Sequence, residues 1–475
     1  MTGISRFACH ISRSIAVVAA LALALTVSPT GAHAQNPSRY EELARDILRE
    51  LIEINTTHSI GSTTDAAEAM AARLRMAGFP DSDVQVLGAI PRKGNLVARW
   101  RGNGSTRQPL LLLAHLDVVE ADPADWTVDP FTFLERDGYF YGRGTTDDKA
   151  QAAIWIALMI RLREEGFRPE RDIIVALTAD EEGGTANGVI WLLENHPELI
   201  DAAFALNEGA GGALKNGERL SNNVQASEKV YLSFQLEVTN PGGHSSLPVK
   251  DNAIYHLAAA LTQIGEHDFP VELNEITRTY FERTAEIEGG EVGEAMRSIL
   301  LEPPDPAGVA LLATNPAYNS RMRTTCVATM VNAGHAENAL PQRAQAIVNC
   351  RMLPGTSPEE VQGALARLVA NEKVMITPTG TPIQSPPSPL TPELLDVIER
   401  ITDEMWPGVP VVPTMLTGAT DGLFLRNKGI PVYGISGIFG EIDDVRAHGR
   451  DERVSVKAFY EGFEFLYRLV RELSR

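Results

Sequence analysis

IIVALTADEEGG, residues 173–184, decides the fold. Ile173 to Thr178 is a near-continuous apolar run of strand length, the pattern of a strand buried on both faces. It breaks off into Asp180-Glu181-Glu182 and then Gly183-Gly184. Working outward, Leu110–Ala114 and Ala202–Leu206 read as two more such strands. Lys149–Glu165, ended by Gly166, and Val189–Asn195 read as helices. Towards the N-terminus, Ser38-Arg39-Tyr40-Glu41 is a capping box opening an amphipathic helix to about Ile54, and Asp65–Ala77 is a second helix stopped by Gly78. This alternation predicts an α/β fold: a mainly parallel twisted sheet flanked by helices.

In an open α/β sheet, ligands bind beyond the carboxyl ends of the strands, so the residues following each apolar run matter most. After Leu110–Ala114 come His115-Leu116-Asp117. After Tyr139–Tyr141 comes Gly142-Arg143-Gly144-Thr145-Thr146-Asp147-Asp148-Lys149. After Ala202–Leu206 comes Asn207-Glu208-Gly209, and beyond Ile430–Ile435 comes Ala447-His448-Gly449. Two imidazoles and several carboxylates, without a thiolate, suit Zn²⁺, Co²⁺ or Mn²⁺. Asp117, two residues past His115, is placed to accept the other ring N–H and hold the tautomer. Glu181 and Glu182 are adjacent, so their side chains diverge; one can bind metal while the other faces the attacking water as general base. Each element alone is weak. Adjacent acids are usually a solvated loop, and Gly-Arg-Gly is usually a turn. Their ordered recurrence at strand ends is what points to a site. His58, His196, His256, His267 and His335 lack that context and read as ordinary surface or core residues. The sequence has no H-E-x-x-H, no G-x-S-x-G and no phosphate-binding loop of the G-x-x-x-x-G-K-[ST] type.

The pattern changes near Ser227. Val230–Thr239 alternates with period two. Asp251–Ile264 is helical, Met322–Asn332 and Arg343–Met352 are strands, Ser357–Ala370 is a helix and Val374–Pro378 a strand. This β-α-β-β-α-β order predicts an inserted α+β, ferredoxin-like domain. Residues 268–319 read as an extra helical insertion. Pro378–Pro392, with six prolines, reads as the return linker, after which helix Pro392–Met405, strand Ile430–Ile435 and helix Ser455–Leu473 complete the first fold. The expected organisation is 1–34 signal peptide, 35–226 first catalytic segment, 227–385 inserted domain and 386–475 second catalytic segment.

At 475 residues the chain exceeds one compact core, and 44% hydrophobic with 22% charged residues is an ordinary globular mix. A formal charge of −20 argues against nucleic acid and against an anionic lipid surface as partners. Arg6 and Arg13 precede the apolar run Ile15–Val27, and Ala32-His33-Ala34 fits a small-x-small cleavage site. That is a secretory signal, too short to span a bilayer comfortably. Its removal takes two basic residues and no acids, leaving −22, and it takes Cys9. The expectation is a secreted, periplasmic protein without stable membrane insertion. Cys326 and Cys350 would then share an oxidising compartment. If their strands pair about a turn near Glu337–Asn338, Cys326 falls opposite Asn349 or Cys350, and only the second register allows a disulfide.

These residues resemble the co-catalytic zinc exopeptidase family of aminoacylase, carboxypeptidase G, acetylornithine deacetylase, succinyl-diaminopimelate desuccinylase and carboxypeptidase S. The resemblance runs from about Tyr40 to the C-terminus. It rests on HLDVV at 115–119, GRGTTDDKA at 142–150, ADEEGG at 179–184, NEG at 207–209, NPGGHSSLP at 240–248, ENALPQRAQAIVNCRMLPG at 337–355 and AHGRDERV at 447–454. It implies two zinc ions, with Co or Mn as substitutes, and Asp147 bridging them. His115 and Glu208 would complete one metal site, Glu182 and His448 the other. Asp117 would orient His115, Glu181 would be the general base, and a cis peptide would follow Asp147. The inserted domain would be a lid and homodimerisation domain. Its His244 would reach a partner subunit's site to steady an oxyanion, and Asn338 and Arg351 would contact the substrate carbonyl and carboxylate. The implied activity is hydrolysis of an amide next to a free carboxylate, in small peptides or N-acyl amino acids. The alternatives are an amidase or deacetylase on a small N-acylated metabolite, and a non-catalytic binding protein on the same fold; the second is disfavoured because every expected ligand and the base are present. Ala150 departs from the Gly of many members, and the 268–319 insertion resembles the larger carboxypeptidase S-like ones.

Overall fold

Ser38 and Glu41 cap each other's backbone amides, and the helix Arg39–Glu53 follows with Ala44, Ile47, Leu48, Leu51 and Ile52 on its buried face. In the computed structural model the described residues are 37–475, and Ser38–Arg475 form one compact unit; the expected signal segment lies outside the described residues. No helix among the described residues is long and apolar enough to cross a membrane.

A ten-stranded mixed sheet runs through this unit. Its centre is parallel: Ile173–Thr178, Leu110–His115, Phe204–Asn207 and Val432–Gly434 lie side by side in that order. The apolar runs are explained by burial on both faces. Leu110, Leu112 and Ala114 pack into a core with the helices Arg39–Glu53, Lys149–Glu164 and Val456–Leu473, while Leu111 and Leu113 pack beneath Val189, Leu192 and Leu425. Antiparallel strands Val84–Gly88 and Gly94–Trp100 close one side.

Several strands escape the sequence reading, among them Val84–Gly88, Gly94–Trp100, Gly212–Lys215 and Phe439–Glu441, and two more show why. Glu218–Glu228 is polar along much of its length yet buried, with Asn222 bonded to Thr402 and Glu228 to Arg426. Val411–Leu416 contains Pro413, which reads as a breaker; among the described residues the strand pairs only with Glu218–Glu228, and a one-sided strand tolerates proline. The Glu228–Arg426 pair is almost fully buried, and removing one partner of such a pair costs about 3–5 kcal/mol.

The inserted sheet has the order Thr325–Ala333, Arg343–Met352, Val230–Thr239, Met375–Pro378, all antiparallel, the ferredoxin-like order of its β-α-β-β-α-β sequence. Helices Ala253–Gly265 and Pro358–Val369 cover one face with their own core of Leu232, Phe234, Val348, Leu257 and Leu365. The 268–319 stretch supplies four short helices around Phe281, Met296 and Leu312. It is not an appendage of the inserted sheet alone. Its helix Glu275–Glu288 lies against Val411–Leu416, where Arg283 bonds the Val411 carbonyl and pairs with Glu399.

Cys326 and Cys350 stand in direct register and are disulfide-bonded. Thiol titration of denatured, unreduced protein should therefore detect neither cysteine. Two titrating thiols from these positions would show that the bond does not form.

Candidate active site

Five loops at the carboxyl ends of the strands meet over the parallel centre. His115 ends its strand and is buried. Asp147 immediately precedes Asp148, the N-cap of Lys149–Glu164, so the helix dipole favours its negative charge. The peptide between Asp147 and Asp148 is cis. One oxygen of Asp147 lies 2.9 Å from His115 Nε2 and the other 3.1 Å from His448 Nε2. His448 Nε2 is also 2.8 Å from Glu182. Candidate ligand atoms of His115, Asp147 and Glu182 lie within 4.8 Å of one another, as do those of His115, Glu181 and Glu208. The structure thus brings together all six residues that the sequence assigned to metal or base.

Electrostatics mark the cluster as built for cations. Burial, reinforced by Glu208, Asp421 and Glu182, pushes the Glu181 carboxyl up to about 10. Burial and Asp147 raise Glu208 well above the carboxylate range, and the same two causes raise Glu182. The hydrogen bond that His448 donates to Asp147 carries its ring up to about 9. Burial works against the charge on His115, yet the hydrogen bond and charge of Asp147 outweigh it and hold the ring well above its ordinary value. Donors of imidazole and carboxylate type at such mutual spacing are what two divalent ions bound at ~2.0–2.2 Å require, so the residues fit such ions.

Asp117 has a different task from the one expected. Its carboxylate accepts the backbone amides of Glu181 and Glu182 at 3.1 and 3.0 Å. His115 Nδ1 lies 2.9 Å from the main-chain carbonyl of Asp117 and 3.7 Å from its carboxylate. The carbonyl fixes the ring, and the carboxylate fixes the Glu181–Glu182 turn. Lys93 pairs with buried Asp180 at 2.5 Å at the root of that turn. Gly184, at φ +120°, cannot be replaced there, because a Cβ would stand 2.2 Å from Asp180 Oδ2.

Two further groups were not assigned roles from sequence. Glu452, fully buried, accepts the backbone amides of Gly144, Thr146 and Asp147, the Thr146 hydroxyl and the Arg143 guanidinium. Arg143 also donates to the Gly449 carbonyl and stacks on Trp126 at 4.9 Å. This pair ties the Asp147 loop to the His448 loop. The available signal was a Glu inside AHGRDERV together with an Arg between two glycines. Asp421 is buried, bonds Asn187 through one oxygen, leaves the other unpartnered, and is pushed to about 7 chiefly by burial. It follows the strand Val411–Leu416, whose omission hid it.

The other three predicted residues are not in contact with this cluster. His244 is exposed on a two-stranded ribbon with Ala339–Leu340, its ring bonded to Ser246. Asn338 is exposed beside it and accepts the Ser245 amide. Arg351 is half-buried on the uncovered face of the inserted sheet, its guanidinium 4.8 Å from the Tyr231 ring centre, and no ion pair among the described residues involves it.

An open α/β sheet bearing two imidazoles, four close carboxylates and no thiolate at its strand ends defines a metallohydrolase. Residues 111–472 match the model of peptidase family M20/M25/M40, and the chain belongs to that family. It is 30% identical to probable carboxypeptidase S-like 2 of Dictyostelium discoideum, over 80% of this chain and 75% of that one. It is 28% identical to the human N-fatty-acyl-amino acid synthase/hydrolase PM20D1, over 97% and 96% of the two chains. Among solved structures, the M20 family metallo-carboxypeptidase Sso-CP2 of Sulfolobus solfataricus superposes with a TM-score of 0.66 at 18% identity, covering 91% of this chain and 99% of that one.

Glu452→Gln would turn an amide donor towards backbone amides that now donate. Supporting residues of this kind typically contribute 10–100-fold to metal affinity. Metal content against rising chelator should fall off at ~10-fold lower chelator in the variant. Wild-type retention would show that the two loops hold without this clamp.

Proposed function

We propose that the protein is a dinuclear zinc hydrolase that cleaves an amide next to a free carboxylate in N-acyl amino acids or small peptides. The observation that carries this reading is Asp147, whose two oxygens face two different imidazoles, His115 and His448. His115 and Glu208 would hold one ion, Glu182 and His448 the other, with Asp147 shared. Such ions supply water activation near neutral pH and polarisation of a carbonyl.

Glu181 takes the proton of the attacking water and returns it to the leaving amine. Asp117 keeps Glu181 aimed through the backbone amide. His244, exposed on its ribbon, serves the oxyanion of a partner's site in a homodimer through the inserted domain, and Asn338 contacts the substrate carbonyl. Arg351 binds the substrate carboxylate, because guanidinium matches it in a planar two-bond geometry. The relatives named for N-fatty-acyl-amino acids and for carboxypeptidase S support both substrate classes. With a signal peptide at residues 1–34, the reaction takes place outside the cytoplasm, in the periplasm.

Glu181→Gln should lower turnover at least ~10²-fold while metal content stays at the wild-type level. Loss of metal, or near-normal activity, would remove Glu181 from the role of base. Arg351→Ala should lower kcat/KM by ~1.5–3 kcal/mol on a free-acid substrate and far less on its C-terminal amide. Equal losses on acid and amide would mean that Arg351 only supports the inserted sheet.

A further inference from the structure

Tyr231 and Arg351 stand opposite each other on the strands Val230–Thr239 and Arg343–Met352, on the face of the inserted sheet that no helix covers. The guanidinium lies over the Tyr231 ring, 4.8 Å from its centre. A guanidinium held on a ring face keeps its rim of N–H donors free for a planar partner. In the next row of the same face Ser233 stands opposite Asn349. Asn349 Nδ2 donates to the Ser233 hydroxyl, and that hydroxyl donates to the Tyr231 oxygen, each at 3.1 Å. Ser233 thereby spends its proton on Tyr231, and the Tyr231 proton has no acceptor among the described residues. Hydrogen bonds in a chain polarise one another, so the phenol at its end is the better donor. Tyr231 is 53% exposed, which leaves that donor open to a group from outside the chain.

Charge points the same way. Acidic residues outnumber basic ones by 62 to 42, yet Arg351 has no carboxylate partner among the described residues. Neither has the buried Lys229, two residues before Tyr231, which donates only to the Arg323 carbonyl and to the Thr325 hydroxyl. Thr325 stands opposite Arg351 on the side away from Tyr231. Burial, and after it the charge of Arg351, lowers the Lys229 ammonium to about 7, so the two cations are within electrostatic reach. An arriving anion would favour the charged form of both.

We propose that Tyr231 is a specificity-determining residue for the free carboxylate of the substrate: its hydroxyl donates to a carboxylate oxygen, and its ring holds the Arg351 guanidinium that pairs with the same group. This rests on the reading above in which Arg351 takes the substrate carboxylate. A carboxylate has about four acceptor sites on its two oxygens, so a bidentate guanidinium leaves room for a third donor. A C-terminal amide is uncharged and gains less from either donor.

The test is steady-state kcat/KM of the metal-loaded enzyme on a free-acid substrate that the wild type turns over, an N-acyl-L-phenylalanine or a dipeptide, and on the C-terminal amide of the same compound. Tyr231→Phe keeps the ring and removes the donor. Its acid-to-amide ratio should fall about 10-fold, the weight of a hydrogen bond to a charged group. Tyr231→Leu removes the ring as well and should lower the ratio about two- to fivefold further, the range of an exposed cation–π contact. The ratio compares two substrates on one enzyme, so partial misfolding of a variant cancels. A merely structural role would lower acid and amide alike. An unchanged ratio in Tyr231→Phe, with Arg351→Ala lowering it, overturns the Tyr231 donor and leaves the Arg351 clamp standing. A ratio that Arg351→Ala leaves unchanged overturns the clamp and the Tyr231 donor together.

Discussion

Like charges repel, and burial strengthens the repulsion because water no longer screens it. Asp147 and Glu182 in one group, and Glu181 and Glu208 in another, are held close together around His115, with Asp117, Asp148 and Asp421 also buried. Left to itself this arrangement would relax by swinging its loops apart or by taking up protons, as the raised carboxyls of Glu181 and Glu208 show. Much of the surrounding architecture resists the first outcome. Asp117 takes the amides of the Glu181–Glu182 turn, Lys93 neutralises Asp180 at its root, and Glu452 gathers the amides around Asp147. Divalent ions answer the second, since they supply the positive charge that the protein itself withholds apart from two imidazoles.

The same economy of buried charge appears where the chain passes from the large sheet to the small one. Glu228 ends its strand against the Thr420 amide and Arg426, and the next residue, Lys229, donates to the Arg323 carbonyl and the Thr325 hydroxyl. Burial lowers the Lys229 ammonium to about 7, with Arg351 adding to the shift. Two neighbouring residues thus anchor opposite sides of the crossing. The helix Glu275–Glu288, packed on Val411–Leu416, adds a second tie between the insertion and the large sheet. The uncovered face of the inserted sheet, carrying Arg351 and Tyr231, is presented from a base fixed at these points.

The apolar runs Leu110–Ala114 and Ile173–Thr178 were legible because strands buried on both faces must be apolar at every position. The chemistry at their ends was legible for a related reason. His115 ends its strand, Glu181, Glu182 and Glu208 sit just beyond strands and Asp147 just before a helix, whereas His448 lies well inside the loop between the strands Phe439–Glu441 and Arg453–Ser455. Glu218–Glu228 and Val411–Leu416 were not legible. A buried polar strand depends on partners such as Thr402 and Arg426, about 180 to 200 residues away, and Pro413 is acceptable only because one side of its strand is unpaired. Asp421 was lost with that strand.

By itself the sequence determined the α/β class and the inserted β-α-β-β-α-β order, since periodicity is a local property; it set imidazoles and carboxylates beyond strands, and the family resemblance assigned them as ligands. It narrowed Cys326 to one of two partners, and the strand register chose Cys350. Only the tertiary structure decided that the Asp117 carboxylate holds a turn while its carbonyl holds His115, because a two-residue spacing permits either. Only the tertiary structure showed that Glu452 joins two loops about 300 residues apart, and that a cavity opens beside Asp147 and Glu208. Those features depend on which distant segments meet, and periodicity along the chain carries no record of that.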